Sequence, residues 1–229
     1  MTNDRAEAMT YTVRFSFLSE QGHVMSHVEE TVADVGAGRT VRRTVTRTGM
    51  SGDGRDRIMV PDGAADATYV RISDVKRVPA DEAPAPAGSC PESGVRLYAD
   101  QGDAAMGLRV VGLHLENCGG RPYRLDGHPA LELLDEDHRP VDGVEIVHGS
   151  GDIATLPGYD VPARAVTLKP GESASAGMAW RNTTGGGTAV NVPYVRVAAR
   201  DGADPVMVAP ELDLGTTGRL AVRPWTKEP

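Results

Sequence analysis

Tyr11-Thr-Val-Arg-Phe-Ser-Phe17 sets an apolar side chain at every odd position and a polar one at every even position. A period of two marks a strand with one face buried and one in water, so Tyr11, Val13, Phe15 and Phe17 are expected to face a core. Working outward, Gln21-Gly22 makes a turn, and 23–32 reads as a second strand with Val24, Val28 and Val32 on one face. Val35-Gly-Ala-Gly-Arg-Thr-Val41 is turn chemistry leading into a third strand at 40–48, where β-branched residues alternate with arginines around Val41 and Val45. After a glycine-rich excursion at 49–55, short strands are expected at 58–60 and 69–78, separated by Pro61-Asp62-Gly63. Within 69–78, Val70 and Ile72 share a face while Val75 and Val78 fall out of step, which predicts a bulge or the strand's end.

Asp81-Glu-Ala-Pro-Ala-Pro-Ala-Gly88 has no period, two prolines and small residues, and reads as a semi-extended linker. The expected organisation is therefore a domain over 1–80, a linker over 81–88 and a second domain over 89–229. Beyond the linker, short β-rich runs at 95–98, 106–116, 129–135, 140–147, 163–168, 173–181, 192–199 and 219–223 are each bounded by Gly, Pro, Asp or Asn. Leu131 to Val141 reads as a hairpin with the acidic Asp135-Glu-Asp-His138 at its tip. No stretch sustains a helical period, so the expected fold is all-β, with two antiparallel immunoglobulin-like β-sandwich domains in tandem. One echo links the halves: Val35-x-x-Gly38-x-Thr40 and Leu168-x-x-Gly171-x-Ser173 share an apolar residue, a turn glycine and a hydroxyl residue opening a strand.

The formal charge of −8 is unevenly placed, because eleven basic and eleven acidic residues balance up to residue 80 and the whole excess of acid follows. An acidic chain with 4% aromatic residues lacks both the phosphate-neutralising charge and the stacking surfaces that nucleic acid requires, so no nucleic-acid partner is expected. No apolar run approaches the ~20 residues of a membrane-spanning helix. Residues 1–9 lack the basic end, apolar middle and small-residue cleavage site of a signal peptide, so either a leader precedes them or the protein stays inside. Cys90 and Cys118 are too few for a thiolate zinc site and lack redox spacing. A single structural disulfide is the first reading, and two buried free thiols in a reducing compartment are the alternative.

From about 90 to 225 the chain resembles a domain of unknown function common in secreted and lipid-anchored actinobacterial proteins. The resemblance rests on Leu113-His-Leu-Glu-Asn117, Leu125-Asp-Gly-His-Pro129, Leu131-Glu-Leu-Leu-Asp135 with Pro140-Val141, Leu168-Lys-Pro-Gly-Glu-Ser-Ala174, and Ala179-Trp180. Members typically carry a strand ending in Asn-x-Gly, a Gly-Tyr-Pro turn, a Leu-x-Pro-Gly-x-Ser-Ala turn and a strand ending near Trp. Two departures stand out: His128 replaces the usual Tyr, and Tyr123 replaces the usual second cysteine. The resemblance implies that Cys118 takes over the pairing with Cys90, and it implies an extracytoplasmic protein, secreted or envelope-anchored. Residues 1–80 resemble, more loosely, small β-sandwich modules of bacterial envelope proteins.

His23-Val-Met-Ser-His27 sets two imidazoles and a thioether on one face of a strand, a donor set that suits copper. Same-face neighbours are ~7 Å apart along a strand and do not converge unaided on one ion, so an exposed strand is preferred. Asp135 to His138 lacks the ligand spacing of a calcium loop. His148-Gly-Ser-Gly-Asp152 is not a nucleophile elbow, and Gly185-Gly-Gly187 lacks the Lys of a phosphate loop. Arg39, Arg42, Arg43 and Arg47 form a strip that either docks an anionic partner or keeps an edge strand from aggregating. With no catalytic constellation and no cofactor expected, the function read from sequence is a non-enzymatic extracytoplasmic binding or scaffolding module for a protein or cell-envelope component. A copper-handling protein using His23, Met25 and His27 is the alternative.

Overall fold

A computed structural model describes residues 1–43 and 69–229, and among these every regular element is a strand. Expectations about Val45, Arg47, the excursion at 49–55, the strand at 58–60 and the Pro61-Asp62-Gly63 turn lie outside the described residues. The chain forms two compact units, Met1–Asp81 and Glu82–Pro229.

In the first unit β1 (Met9–Leu18) lies between β2 (Val24–Val35) and β3 (Tyr69–Pro79), both antiparallel to it. Tyr11, Val13 and Phe17 are buried, as their period requires, while Phe15 is half-buried. The break of step within 69–78 is a bulge: Arg14 faces Asp74 and Phe15 faces Ile72, which leaves Ser73 over. Ser73 Oγ donates to the Arg14 carbonyl at 3.2 Å. Ahead of the bulge Tyr69, Val70 and Ile72 are exposed, and after it Val78 is buried. Of the strand expected at 40–48, the described part is a single bridge, Thr2 to Thr40, followed by irregular chain.

Asn3, wholly buried, organises the start of this unit. Its Nδ2 donates to the carbonyls of Glu7 and Val35, and its Oδ1 accepts from the Arg5 amide and the Tyr11 hydroxyl. Its own backbone N–H donates to the Arg39 carbonyl, and its carbonyl accepts from Gly38, whose φ of 68° favours glycine.

The second unit holds β4 (Val95–Ala99), β5 (Asp103–Ala105), β6 (Leu108–Asn117), β7 (Tyr123–Asp126), β8 (Ala130–Leu134), β9 (Glu145–His148) and β10 (Ala165–Leu168). It continues with β11 (Ser173–Arg181), β12 (Val190–Val192), β13 (Tyr194–Ala198), β14 (Val206–Val208), β15 (Leu212–Gly215) and β16 (Arg219–Lys227). A six-stranded sheet runs β4-β6-β11-β16-β9, with β5 also paired to β6; the smaller sheets are β10-β7, β12-β15 and β14-β13-β8. Alternate residues of the large sheet, among them Leu113, Leu115, Ala176, Met178 and Leu220, meet Leu125, Leu133, Leu168, Val195 and Leu212 of the smaller sheets in one core. Residues after Asp81 are tied to this unit: the Glu82 carbonyl accepts from the Met207 amide at 2.8 Å, and Arg96 Nε donates to the Ala85 carbonyl.

Three expectations need correction. The sheet is not purely antiparallel, because β9 runs parallel to β16. The long stretch of chain between these two strands has room for the crossover that parallel pairing demands. The run at 106–116 starts later, at Leu108, because Met106 (φ 46°) and Gly107 (φ 76°) form the β5–β6 turn, with two left-handed residues as tight hairpins use. Met106 is 97% exposed, and its carbonyl accepts from Arg181 while that of Gly107 accepts from the Asn182 amide. The run at 192–199 is split by Pro193, which has no N–H to donate, into β12 and β13.

Asn117, at the end of β6, is almost wholly buried. Its Nδ2 donates to the carbonyls of Arg121 and Leu168, and its Oδ1 accepts from the Gly119 amide. Its N–H donates to the Glu172 carbonyl, and its carbonyl accepts from Gly171, at φ 82°. Close by, Cys90 and Cys118 form a disulfide, with Cα atoms 5.6 Å apart.

Candidate functional site

The second unit holds a cleft of about 580 Å³, within the range of ligand sites. Its floor is built around one carboxylate. Trp180, near the end of β11, is 2% exposed, and a buried indole N–H must find an acceptor. It donates to Asp213 Oδ1 at 2.8 Å, while Asn182 Nδ2 donates to Oδ2 at 3.0 Å. Arg109, the cross-strand partner of Trp180, adds an ion pair to the same oxygen at 3.5 Å. Pro193 and Pro210 stiffen the walls, and Glu211 lies beside them in the left-handed region, at φ 53°. Non-glycine residues held there are strained and cluster at ligand clamps. Three donors on one carboxylate fix its position and give the cleft a rigid polar lining.

The outer face of the large sheet carries a second constellation. Gly112 and Gly177 are cross-strand partners with ordinary backbone angles, so glycine stands there for space. A Cβ on Gly112 would lie 2.3 Å from Asp100 Oδ2, and one on Gly177 would lie 3.0 Å from the Tyr159 hydroxyl. Tyr159 is buried, and burial pushes its hydroxyl up to about 12 against the opposing pull of Arg223, so it stays protonated at neutral pH. His114 stacks on Tyr98 and lies opposite Ser175 in the register, with Asp100 beside it. That trio is not a catalytic triad. The His114 nitrogens face Asp100 Oδ2 at 3.3 Å and Glu228 Oε1 at 3.4 Å, and Ser175 Oγ accepts from Arg223. Neither imidazole nitrogen is open to take a proton from serine.

The residues singled out from sequence are placed as follows. Cys90 and Cys118 are joined. His23 precedes β2, Met25 is the extra residue where Val24 faces Leu18 and Ser26 faces Phe17, and His27 Nδ1 lies 3.1 Å from Ser16 Oγ. Among the described residues no three His, Cys, Asp or Glu side chains gather as a metal site. Arg39, Arg42 and Arg43 are exposed, and Arg47 lies outside the described residues. The acidic hairpin tip is closed by Asp135, whose Oδ1 accepts from the amides of Asp137 and Arg139. These bonds, that from Arg139 first, hold its carboxyl below the usual range. In 148–152, Ser150 is buried and its hydroxyl donates a hydrogen bond to Asp160, His148 stacks on His128, and Asp152 pairs with Arg219.

Sequence reading missed Asp213, Asn182 and Arg109. The available signal was Leu212-Asp-Leu214, a short alternation whose apolar residues are both buried.

A family model described as a domain of unknown function, DUF4232, matches residues 90–226. No curated protein and no solved structure matches the chain.

Proposed function

We propose that this chain, which belongs to the DUF4232 family, is a non-enzymatic extracytoplasmic binding module whose second unit receives a protein or cell-envelope partner in the Asp213 cleft. The observation that carries the reading is the carboxylate of Asp213, locked by Trp180, Asn182 and Arg109 at the floor of a 580 Å³ hollow. Three donors from fixed elements hold the carboxylate in one orientation, an arrangement that suits recognition. The Cys90–Cys118 bond supports an oxidising compartment. Among the described residues no helix is long and apolar enough to cross a membrane. The same reading takes the units as immunoglobulin-like sandwiches in tandem. Its supports are the common core between the large and small sheets of the second unit and the asparagine-centred turn found in both units.

Asp103 lines the cleft from an exposed position on β5, so Asp103→Arg alters its charge without touching the core. In pull-downs from the envelope fraction, a partner retained by the wild type and lost with Asp103→Arg, at equal thermal stability, is the expected result. No reproducible partner, together with substrate turnover by the purified protein, overturns the proposal.

A further inference from the structure

His128 and His148 lie face to face, ring centroids 4.0 Å apart and planes within 5°. His128 follows β7 in the turn to β8, at the position where the sequence departs from a Gly-Tyr-Pro pattern, and His148 ends β9. Both rings hang from backbone held by the same strand, β16. The Gly127 carbonyl accepts from the Trp225 amide, and His148 is registered on Val222, whose carbonyl accepts from the Gly149 amide. The two backbone segments that carry the rings are therefore held at a fixed separation.

His128 also lines a hollow of about 370 Å³ with Arg124, Asp126, Arg200 and Asp201. Arg124 and Asp126 come from β7, whereas Arg200 and Asp201 lie between β13 and β14. Asp160, beside Gly149, is committed to the Ser150 amide and hydroxyl. With neutral imidazoles, two arginines and two carboxylates balance and the hollow has no net pull on an ion. One proton on His128 leaves the hollow with a net positive charge, which a bound anion offsets. Burial first, and the charge of His148 second, hold His128 below the ordinary imidazole value, so that proton arrives only on acidification.

We infer that this hollow is a proton-gated site for a compact oxyanion, occupied in acid and released near neutrality. Sulfate is a suitable probe because its own charge does not change over the imidazole range. Calorimetry with sulfate should show binding at about pH 5 and at least ~10-fold weaker binding at about pH 7.5. By linkage, sulfate should move the NMR titration midpoint of His128 upward. His128→Phe keeps a stacked ring without a proton, and should abolish the pH dependence. Arg200→Ala should weaken the acid-pH binding alone. Vesicles of phosphatidylglycerol, against phosphatidylcholine, separate the sources: binding of sulfate without vesicles identifies a free oxyanion, and acid-dependent vesicle binding lost in His128→Phe identifies a headgroup. No sulfate binding in acid, equal binding at both pH values, or an unchanged pH dependence in His128→Phe overturns the inference.

Discussion

Asn3 and Asn117 do the same work in the two units, bond for bond. Each amide nitrogen donates to the carbonyl four residues on and to a distant apolar residue, Val35 or Leu168. Each amide oxygen accepts from the N–H two residues on. A glycine three residues past the apolar one, Gly38 or Gly171, donates to the asparagine's own carbonyl. Even the pairing six residues on agrees, with Met9 facing Val35 and Tyr123 facing Leu168. The units differ in what surrounds the device. Asn117 sits beside a core fed by every sheet of its unit, whereas the described cluster around Met9 comprises Met9, Tyr11, Val32 and Val35, with Val41 against it. Asn3 gains a further bond from the Tyr11 hydroxyl, where the corresponding Leu125 offers only bulk. One polar pin can thus be backed either by apolar packing or by another hydrogen bond.

Removing the pin is the strongest way to test the parallel. Asn3→Ala should cost about 4 kcal/mol and Asn117→Ala about 3, since each strands one buried carbonyl, of Val35 or Leu168, and only the first also strands a tyrosine hydroxyl. Urea denaturation of each variant reads the difference, and equal losses would break the comparison. Next comes the disulfide, present only in the second unit. Cys90→Ser with Cys118→Ser should lower stability by about 3 kcal/mol through loss of a loop constraint, seen as a lower urea midpoint that no longer responds to reductant. Tyr11→Phe isolates the extra bond, with a loss of about 1 kcal/mol expected from the same measurement.

The smallest effect is a pH slope. His128 is held below its ordinary 6.5 in the folded protein, so the unfolded chain takes the proton first as pH falls. Stability of the second unit should be flat above that value and decline as acid is added below it. His128→Phe should flatten the slope just below that value and leave the decline at lower pH that the depressed carboxyl of Asp135 produces, as followed by thermal melts across pH.

The recurrence of Val35-x-x-Gly38-x-Thr40 and Leu168-x-x-Gly171-x-Ser173 was legible because turn glycines and strand openings are local signals. The buried asparagines that each turn answers to were not, since Asn3 and Val35 meet only through folding. The bulge at Ser73 could be read from valines falling out of step. Strands β5, β7, β14 and β15 escaped notice because three or four residues are too short for a period to show. The same brevity hid the cleft, whose central Asp213 belongs to one of them. The parallel partnership of β9 with β16 is a long-range choice that local pattern does not encode. The resemblance marked Trp180 as the end of a strand, but not as the donor that orients a carboxylate.

Met106 stands almost entirely in solvent on a hairpin tip anchored through its backbone, whereas Met9, Met178 and Met207 are sealed away at 0% exposure. Among the described methionines Met106 is the most exposed, and conversion of its thioether to the sulfoxide disturbs no packing. A gain of one oxygen on the peptide that carries it is therefore expected from peroxide at no cost in stability.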